Sequence, residues 1–327
     1  MTAPPSDDLS TLRATIESEL RTPVRPAVEG LARAIAERHG ASVAGVLFYG
    51  SALRDEHEEG VLDFWVVVDD YAAAYGRRRL ALANRVAPPN VFYLERELES
   101  RTLRTKYGVI DRRDFAKGTS RGAWHPYVWA RFAQPARLLA CRDDEARAFF
   151  ASSLADAVVT MVARLVCWMP ARGHRLRFSL AAFWQEAFRR TYDSERRPEA
   201  DESIRALYDV DPDRYDALGA HALQHLAGEG HFAGATPYPR SFEVEMSPMA
   251  RRLGRLRWRA MRSIGRMVGL VRLAKTAFTF GDWVPYVLWK LERHTGRRIE
   301  LSERQRRHPL IFAWPVILPE LLKRNLR

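Results

Sequence analysis

Two apolar runs joined through a Gly-Ser turn place the tightest limit on how this chain folds. Residues 43-VAGVLFY-49 read as a strand, Gly50-Ser51 ends it, and an acid-rich loop leads to a second strand, 62-LDFWVVV-68. Around this pair the periodicity predicts helices over 24–39, closed by Gly40, and over 71–85. Short strands are expected at 91-VFYLE-95 and 106-KYGVI-110, and helices at 144–166, 178–192 and 201–226. Residues 228–250 hold several Gly and Pro and read as a linker or long loop. A basic helical region starts at 251. The expected class is α+β, a mixed-sheet domain followed by a mainly helical region. The divisions expected are 1–140 for the sheet domain, 141–250 for a helical domain and 251–327 for a basic C-terminal region.

At 47% hydrophobic and 28% charged residues, the chain can bury a sizeable core, which argues against wholesale disorder. The N-terminus lacks a basic-then-apolar signal pattern. No run reaches the roughly 18 apolar residues of a membrane span, and 310-LIFAWPVILPELL-322 is interrupted by Pro315 and Pro319. Cys141 and Cys167 have no metal-like spacing and are expected as free thiols in a reducing cytosol.

Charge is distributed unevenly. Of the net +12, residues 251–327 carry a surplus of 14, with 19 Lys and Arg against 5 Asp and Glu, so the first 250 residues sum to −2. A near-neutral body with a basic C-terminal quarter calls for an anionic partner, phospholipid or nucleic acid.

The Gly-Ser turn and Asp63 fit one kind of chemistry. Nucleotidyl transfer needs a cradle for a triphosphate, a divalent cation at the α-phosphate and a carboxylate to hold it. Gly50 lets backbone approach a phosphate, and Ser51 offers a hydroxyl and an N–H. Asp63, at the start of the next strand, would be the metal ligand. The arrangement resembles the nucleotidyltransferase superfamily, in which a second acid normally stands two residues after the first; here that position is Trp65. Asp55 is the first candidate for the second ligand, with Glu56 and Glu59 behind it and Glu95 as a third carboxylate.

A closer resemblance is to the Tam41/Mmp37 family of mitochondrial phosphatidate cytidylyltransferases. The matching stretches occur in the family's order. They are 49-YGS-51, 62-LDFWVVV-68 without the second acid, 106-KYGVI-110, Trp124 with 129-WARFAQPARLL-139, and 275-KTAFTFG-281. Gln134-Pro135 replaces the family's Lys-Pro, and 175–250 matches poorly, which leaves the acceptor side outside the resemblance. The resemblance implies CTP as substrate, Mg²⁺ or Mn²⁺ as cofactor, and phosphatidic acid in an anionic membrane as acceptor. It implies Tyr49, Gly50, Ser51, Lys106 and Arg131 as nucleotide-binding residues, with Lys106 and Arg131 serving Asp63 in catalysis. Tyr192, Glu195 and Arg197 form a further polar cluster after a helix, whereas His57, His125, His174 and His308 share no spacing and read as loop or surface residues.

In 251–280, Arg252, Arg255, Arg259, Arg262 and Arg266 recur at helical spacing, and Leu253, Leu256, Ala260, Ile264, Met267, Val271, Ala274 and Phe278 fall roughly opposite. The pattern predicts an interfacial helix with Arg255, Arg259, Arg262, Arg266 and Lys275 toward lipid headgroups. Trp283, Tyr286, Trp289 and Trp314 add interfacial aromatics. The expectation is a peripheral-membrane enzyme of a bacterial cytoplasm, making CDP-diacylglycerol for phospholipid biosynthesis on the inner face of the cell membrane. Nucleic acid is not expected as a partner. The alternatives are a nucleotidyltransferase with another acceptor, or a non-catalytic lipid- or nucleic-acid-binding protein on the same fold.

Overall fold

The computed structural model describes residues 8–54, 61–98, 101–195, 201–238 and 241–279. Helices α1 (Asp8–Leu20) and α2 (Pro26–His39) precede β1 (Val43–Tyr49), the short α3 (Ser51–Arg54) and β2 (Val61–Val68). There follow α4 (Tyr71–Tyr75), α5 (Arg78–Val86), β3 (Asn90–Leu98), β4 (Arg101–Asp111), α6 (Arg112–Thr119), α7 (Trp129–Phe132) and β5 (Ala136–Cys141). The second half holds α8 (Asp144–Leu165), β6 (Ala171–Arg172), β7 (Arg175–Phe178), α9 (Leu180–Ser194), α10 (Asp201–Asp209) and α11 (Pro212–Gly228). It continues with β8 (Gly234–Tyr238), β9 (Ser241–Glu245) and α12 (Pro248–Thr279).

The class is α+β. A five-stranded mixed sheet runs β3-β4-β2-β1-β5, with β2 and β4 parallel and every other neighbouring pair antiparallel. Alternation along the strands feeds two cores. Phe48, Phe64, Val66, Tyr107 and Val109 face α2 and the α4–α5 side, where Leu31 and Ile35 are fully buried. Leu47, Trp65 and Val67 face the other way, into a larger core with Phe115, Trp129, Phe132, Phe150, Leu154 and Trp184. That larger core runs continuously across residue 140, with α8 giving it a long run of buried residues. The stretch Asp144–Trp168 is long and apolar enough to cross a membrane, but 72% of its most apolar window is buried inside the protein. It serves as the central core helix.

Three expectations need correction. Residues 228–250 are not a linker: they form the β8–β9 hairpin of a second sheet, ordered β6-β7-β9-β8. Phe242 and Val244 alternate inward on β9, and Pro237 is tolerated because β8 is an edge strand. The helix over 71–85 divides at Gly76, whose left-handed φ of 58° ends α4. The helix over 201–226 divides at Asp211-Pro212, where the Asp211 carboxylate accepts from the Arg214 N–H and Pro212 starts a new helix. Helix α1 was not expected; its Leu12, Ile16 and Leu20 bury one stripe against α8 and α11. Both cysteines are free thiols, Cys167 buried and Cys141 half-buried.

Candidate active site

Register puts the predicted residues in one row. Tyr49 on β1 pairs with Asp63 on β2, Asp63 with Lys106 on β4, and Lys106 with Tyr93 on β3. Directly paired residues share a face, so all four stand on the side of the larger core. Lys106 Nζ lies 3.0 Å from Asp63 Oδ1. The contact is a charge contact off the hydrogen-bond angle, because Oδ1 is buried with no hydrogen-bond donor. Gly50 follows the row at φ 95°, and a Cβ built there would meet Asp63 Oδ2 at 3.4 Å. Only glycine takes that turn without strain, and the turn brings backbone directly over the carboxylate. Ser51 begins α3 on the far side of the turn.

Trp65, which occupies the place of the missing second acid, points into the wall of the site. Its Nε1 donates to the Tyr49 hydroxyl at 3.3 Å. Burial, and then the Asp63 charge, push the Tyr49 phenol up to about 12, so it stays protonated at neutral pH. Glu95 shares the face of Lys106 but is engaged: Tyr93 Oη donates to its Oε1 at 2.5 Å and Arg104 Nε at 3.1 Å. Asp55, Glu56, Glu59, His57 and Arg197 lie outside the described residues, as do the aromatics of 281–314 and His308. Among the described residues no group of three His, Cys, Asp or Glu could close around a metal ion. Asp63, with its buried undonated oxygen, therefore fits as one ligand of a cation.

Arg131 differs from its expected part. As a nucleotide-binding residue it would need a free guanidinium, yet on α7 it is only 7% exposed and grips Glu195 bidentately, Nη1 to Oε1 at 2.5 Å and Nη2 to Oε2 at 2.7 Å. Its Nη1 also donates to the Tyr127 carbonyl at 2.6 Å, and the Glu195 charge holds its pKa above the ordinary value against burial. Arg131 is thus a fixed cation behind Tyr49, positioned by Glu195 at the end of α9. Of the Tyr192, Glu195 and Arg197 cluster, Glu195 is brought into the site as the partner of Arg131.

Three residues were not anticipated. Tyr127 lies under the Arg131 guanidinium, with Cζ 3.8 Å from the ring centroid, and its ring is 5.9 Å from that of Trp65. Arg272 of α12 reaches the same ring at 3.8 Å. Arg272 Nε donates to the Pro88 carbonyl at 2.6 Å, and its Nη2 is 3.1 Å from His125 Nε2. A guanidinium only donates, so His125 Nε2 accepts and the ring proton sits on Nδ1. Burial, and then Arg272, lower the His125 pKa to about 4, which keeps the ring neutral. Burial also pulls Arg272 down to about 10, still a cation at neutral pH. The sequence signal was thin: His125-Pro126-Tyr127 precedes α7 but shares no spacing with residue 272.

The basic stripe also takes a different orientation from the one expected. Arg255 donates to the Cys167 carbonyl at 3.0 Å and lies over Trp168, and Arg262 and Arg266 reach Asp193. Lys275 donates to the carbonyls of Ala83, Ala87 and Pro89. These four cations face the body, and only Arg259 of the five stands exposed, beside Arg252 and Arg257. The outward face carries Leu253, Leu256, Met267, Leu270 and Val271, each 48–68% exposed. Trp258 and Met261 bury into the larger core, and flanking Arg stems cover Trp168 and Tyr127 with heads on backbone carbonyls, so the basic stripe lies along the packing side. The side chains of Ala274 and Phe278 lie outside the described residues.

No known protein-family model matches this chain, and no curated protein is recognisably similar to it in sequence.

Proposed function

We propose that the protein is a Mg²⁺-dependent nucleotidyltransferase that works at a membrane surface, a CTP:phosphatidate cytidylyltransferase producing CDP-diacylglycerol and pyrophosphate. The observation that carries this reading is the row Tyr49–Asp63–Lys106 beside the positive-φ Gly50. It sets an acid, a cation 3.0 Å away and a backbone cradle side by side on adjacent strands. When bound, Mg²⁺ supplies charge neutralisation at the α-phosphate, and Asp63 would hold it. Gly50 and Ser51 admit the phosphates to the backbone, and Lys106 contributes a point charge to the triphosphate. Arg131, fixed by Glu195, adds positive potential from behind Tyr49. An oxygen of the acceptor phosphate attacks the α-phosphorus, the new P–O bond forms as the bond to pyrophosphate breaks, and no covalent enzyme intermediate is needed. Catalysis rests on positioning and charge stabilisation.

The test is transfer of label from α-labelled CTP to vesicles containing phosphatidic acid in the presence of Mg²⁺. Label in the lipid phase is expected; its absence in wild type removes the reading. CTP is also expected to protect the protein from heat better than ATP or GTP. Trp65 in the place of the second acid favours one other reading, a non-catalytic binding protein, which would bind vesicles or nucleotide without any need for Mg²⁺.

Membrane docking is assigned to the outer face of α12 rather than to its basic stripe. Burying one exposed Leu or Met side chain in lipid contributes roughly 1.5–3 kcal/mol, and the exposed Arg252, Arg257 and Arg259 stand beside the ridge to meet anionic headgroups. Replacing Leu256, Met267 and Leu270 with Ser is expected to weaken sedimentation with anionic vesicles at least tenfold without changing the thermal midpoint. Unchanged sedimentation would take the ridge out of the docking surface.

A further inference from the structure

Helix α12 and the candidate active site meet at a single aromatic ring. Tyr127 has the Arg131 guanidinium 3.8 Å above its centroid and the Arg272 guanidinium at the same 3.8 Å. Two planar cations at that height on one face would overlap, so they take opposite faces and the ring is sandwiched between α7 and α12. Each cation is anchored at its other end. Arg131 is held by Glu195, and Arg272 by the Pro88 carbonyl and His125 Nε2. One turn further on, Lys275 is fixed by three carbonyls around the end of α5 and the start of β3. Gly265 brings α12 close to the same place, since a Cβ there would meet His125 Cβ at 3.4 Å and Pro126 Cδ at 3.5 Å. On the site side, Tyr127 neighbours Trp65, whose indole holds the Tyr49 hydroxyl, and Tyr49 stands across from Asp63.

We propose that Arg272 is a positioning residue for the nucleotide site, acting through the Tyr127 ring to hold the Arg131 guanidinium in place, so that the seating of α12 sets the affinity for the triphosphate. The kinetic half of this inference rests on the nucleotidyl-transfer reading; the mechanical half does not. Arg272 does not touch the reacting atoms. A cation–π contact on the second face of Tyr127 removes the freedom of the ring to tilt, and Arg131 stacks on the ring that is thereby fixed. Arg272→Gln keeps a donor for Pro88 but loses the planar cation over the ring. Arg272→Lys keeps a cation but not the fork that reaches both Pro88 and His125.

The mechanical half is read from the side-chain N–H resonances of Arg131 in the full-length protein by NMR, which the Tyr127 ring current shifts and the Glu195 pair protects from exchange. Arg272→Gln is expected to move these signals toward the values of an unstacked guanidinium and to speed their exchange at least tenfold. Arg272→Lys should restore them in part, and Tyr127→Phe, which keeps the ring, should leave the stacking shift in place. Arg131 signals unchanged by Arg272→Gln would overturn the proposal. For the kinetic half, Arg272→Gln is expected to raise KM for CTP with Mg²⁺ about tenfold with kcat within twofold of wild type, and Arg272→Lys to recover much of the loss. An equal fall in kcat with KM unchanged would also overturn it. A wild-type protein that transfers no nucleotide ends the transfer reading, while the Arg131 resonances still decide the coupling.

Discussion

On the nucleotidyl-transfer reading, Asp63→Asn is expected to lower transfer by on the order of 10³-fold, yet to leave the protein folded with a thermal midpoint within a few degrees of wild type. The two effects separate because the Asp63–Lys106 pair is partly open to water, at 26% and 34% side-chain exposure. A pair so placed contributes at most about 1 kcal/mol to stability. In the proposed reaction its worth lies instead in the charge at one oxygen. Asn keeps the shape but removes the anion that would hold Mg²⁺ beside the Gly50 turn. Parallel measurement of label transfer from CTP and of thermal unfolding decides the matter. Retained transfer would remove Asp63 from the metal site, and a collapse of the midpoint would make it a structural acid.

The largest effect on stability is expected at Glu195. Replacing it with Ala leaves Arg131 as a cation buried at 7% exposure, opposite an empty place. Breaking a buried pair from one side costs about 3–5 kcal/mol. In a chain of this size that corresponds to a fall of roughly 4–7 °C in the thermal midpoint. Removing both charges together, with Arg131→Met and Glu195→Leu, should recover most of the loss, because the penalty comes from the stranded charge rather than from the missing contact. Urea midpoints of the single and double variants check this. A double variant as unstable as Glu195→Ala would mean that the pair acts through geometry, for instance through its bond to the Tyr127 carbonyl, rather than through charge balance.

Much of the sheet was legible from the chain alone. Residues 43–49 and 62–68 are apolar enough, and the Gly50-Ser51 break sharp enough, to mark two strands and the turn between them. Once β1 and β2 pair in the register their apolar faces require, Tyr49 must stand beside Asp63, and the parallel β4 then brings Lys106 alongside. The core helix over 144–165 and the helical nature of α12 follow from periodicity in the same way. The hairpin at 234–245 was hidden because its Gly and Pro residues signal loops unless the edge position that tolerates Pro237 is known.

What the chain could not announce is which partner each face would find. Periodicity divided α12 into an Arg side and an apolar side, but it carries no information about which side meets the body. That was decided by the larger core, which takes in Trp258 and Met261, and by Trp168, Tyr127 and the carbonyls of 83–89 and 167, which accept long cationic side chains. The same holds for Arg131. The family resemblance implied a nucleotide-binding cation, and only the fold brought Glu195, 64 residues away, into bidentate reach. Arg272, His125 and Tyr127 are separated by up to 147 residues and share no pattern along the chain. Local sequence determines strands, helices and the turn because those depend on neighbours a few residues apart. The pairing of buried charges and the inward face of a helix depend on groups brought together from distant segments, and the tertiary structure alone selects them.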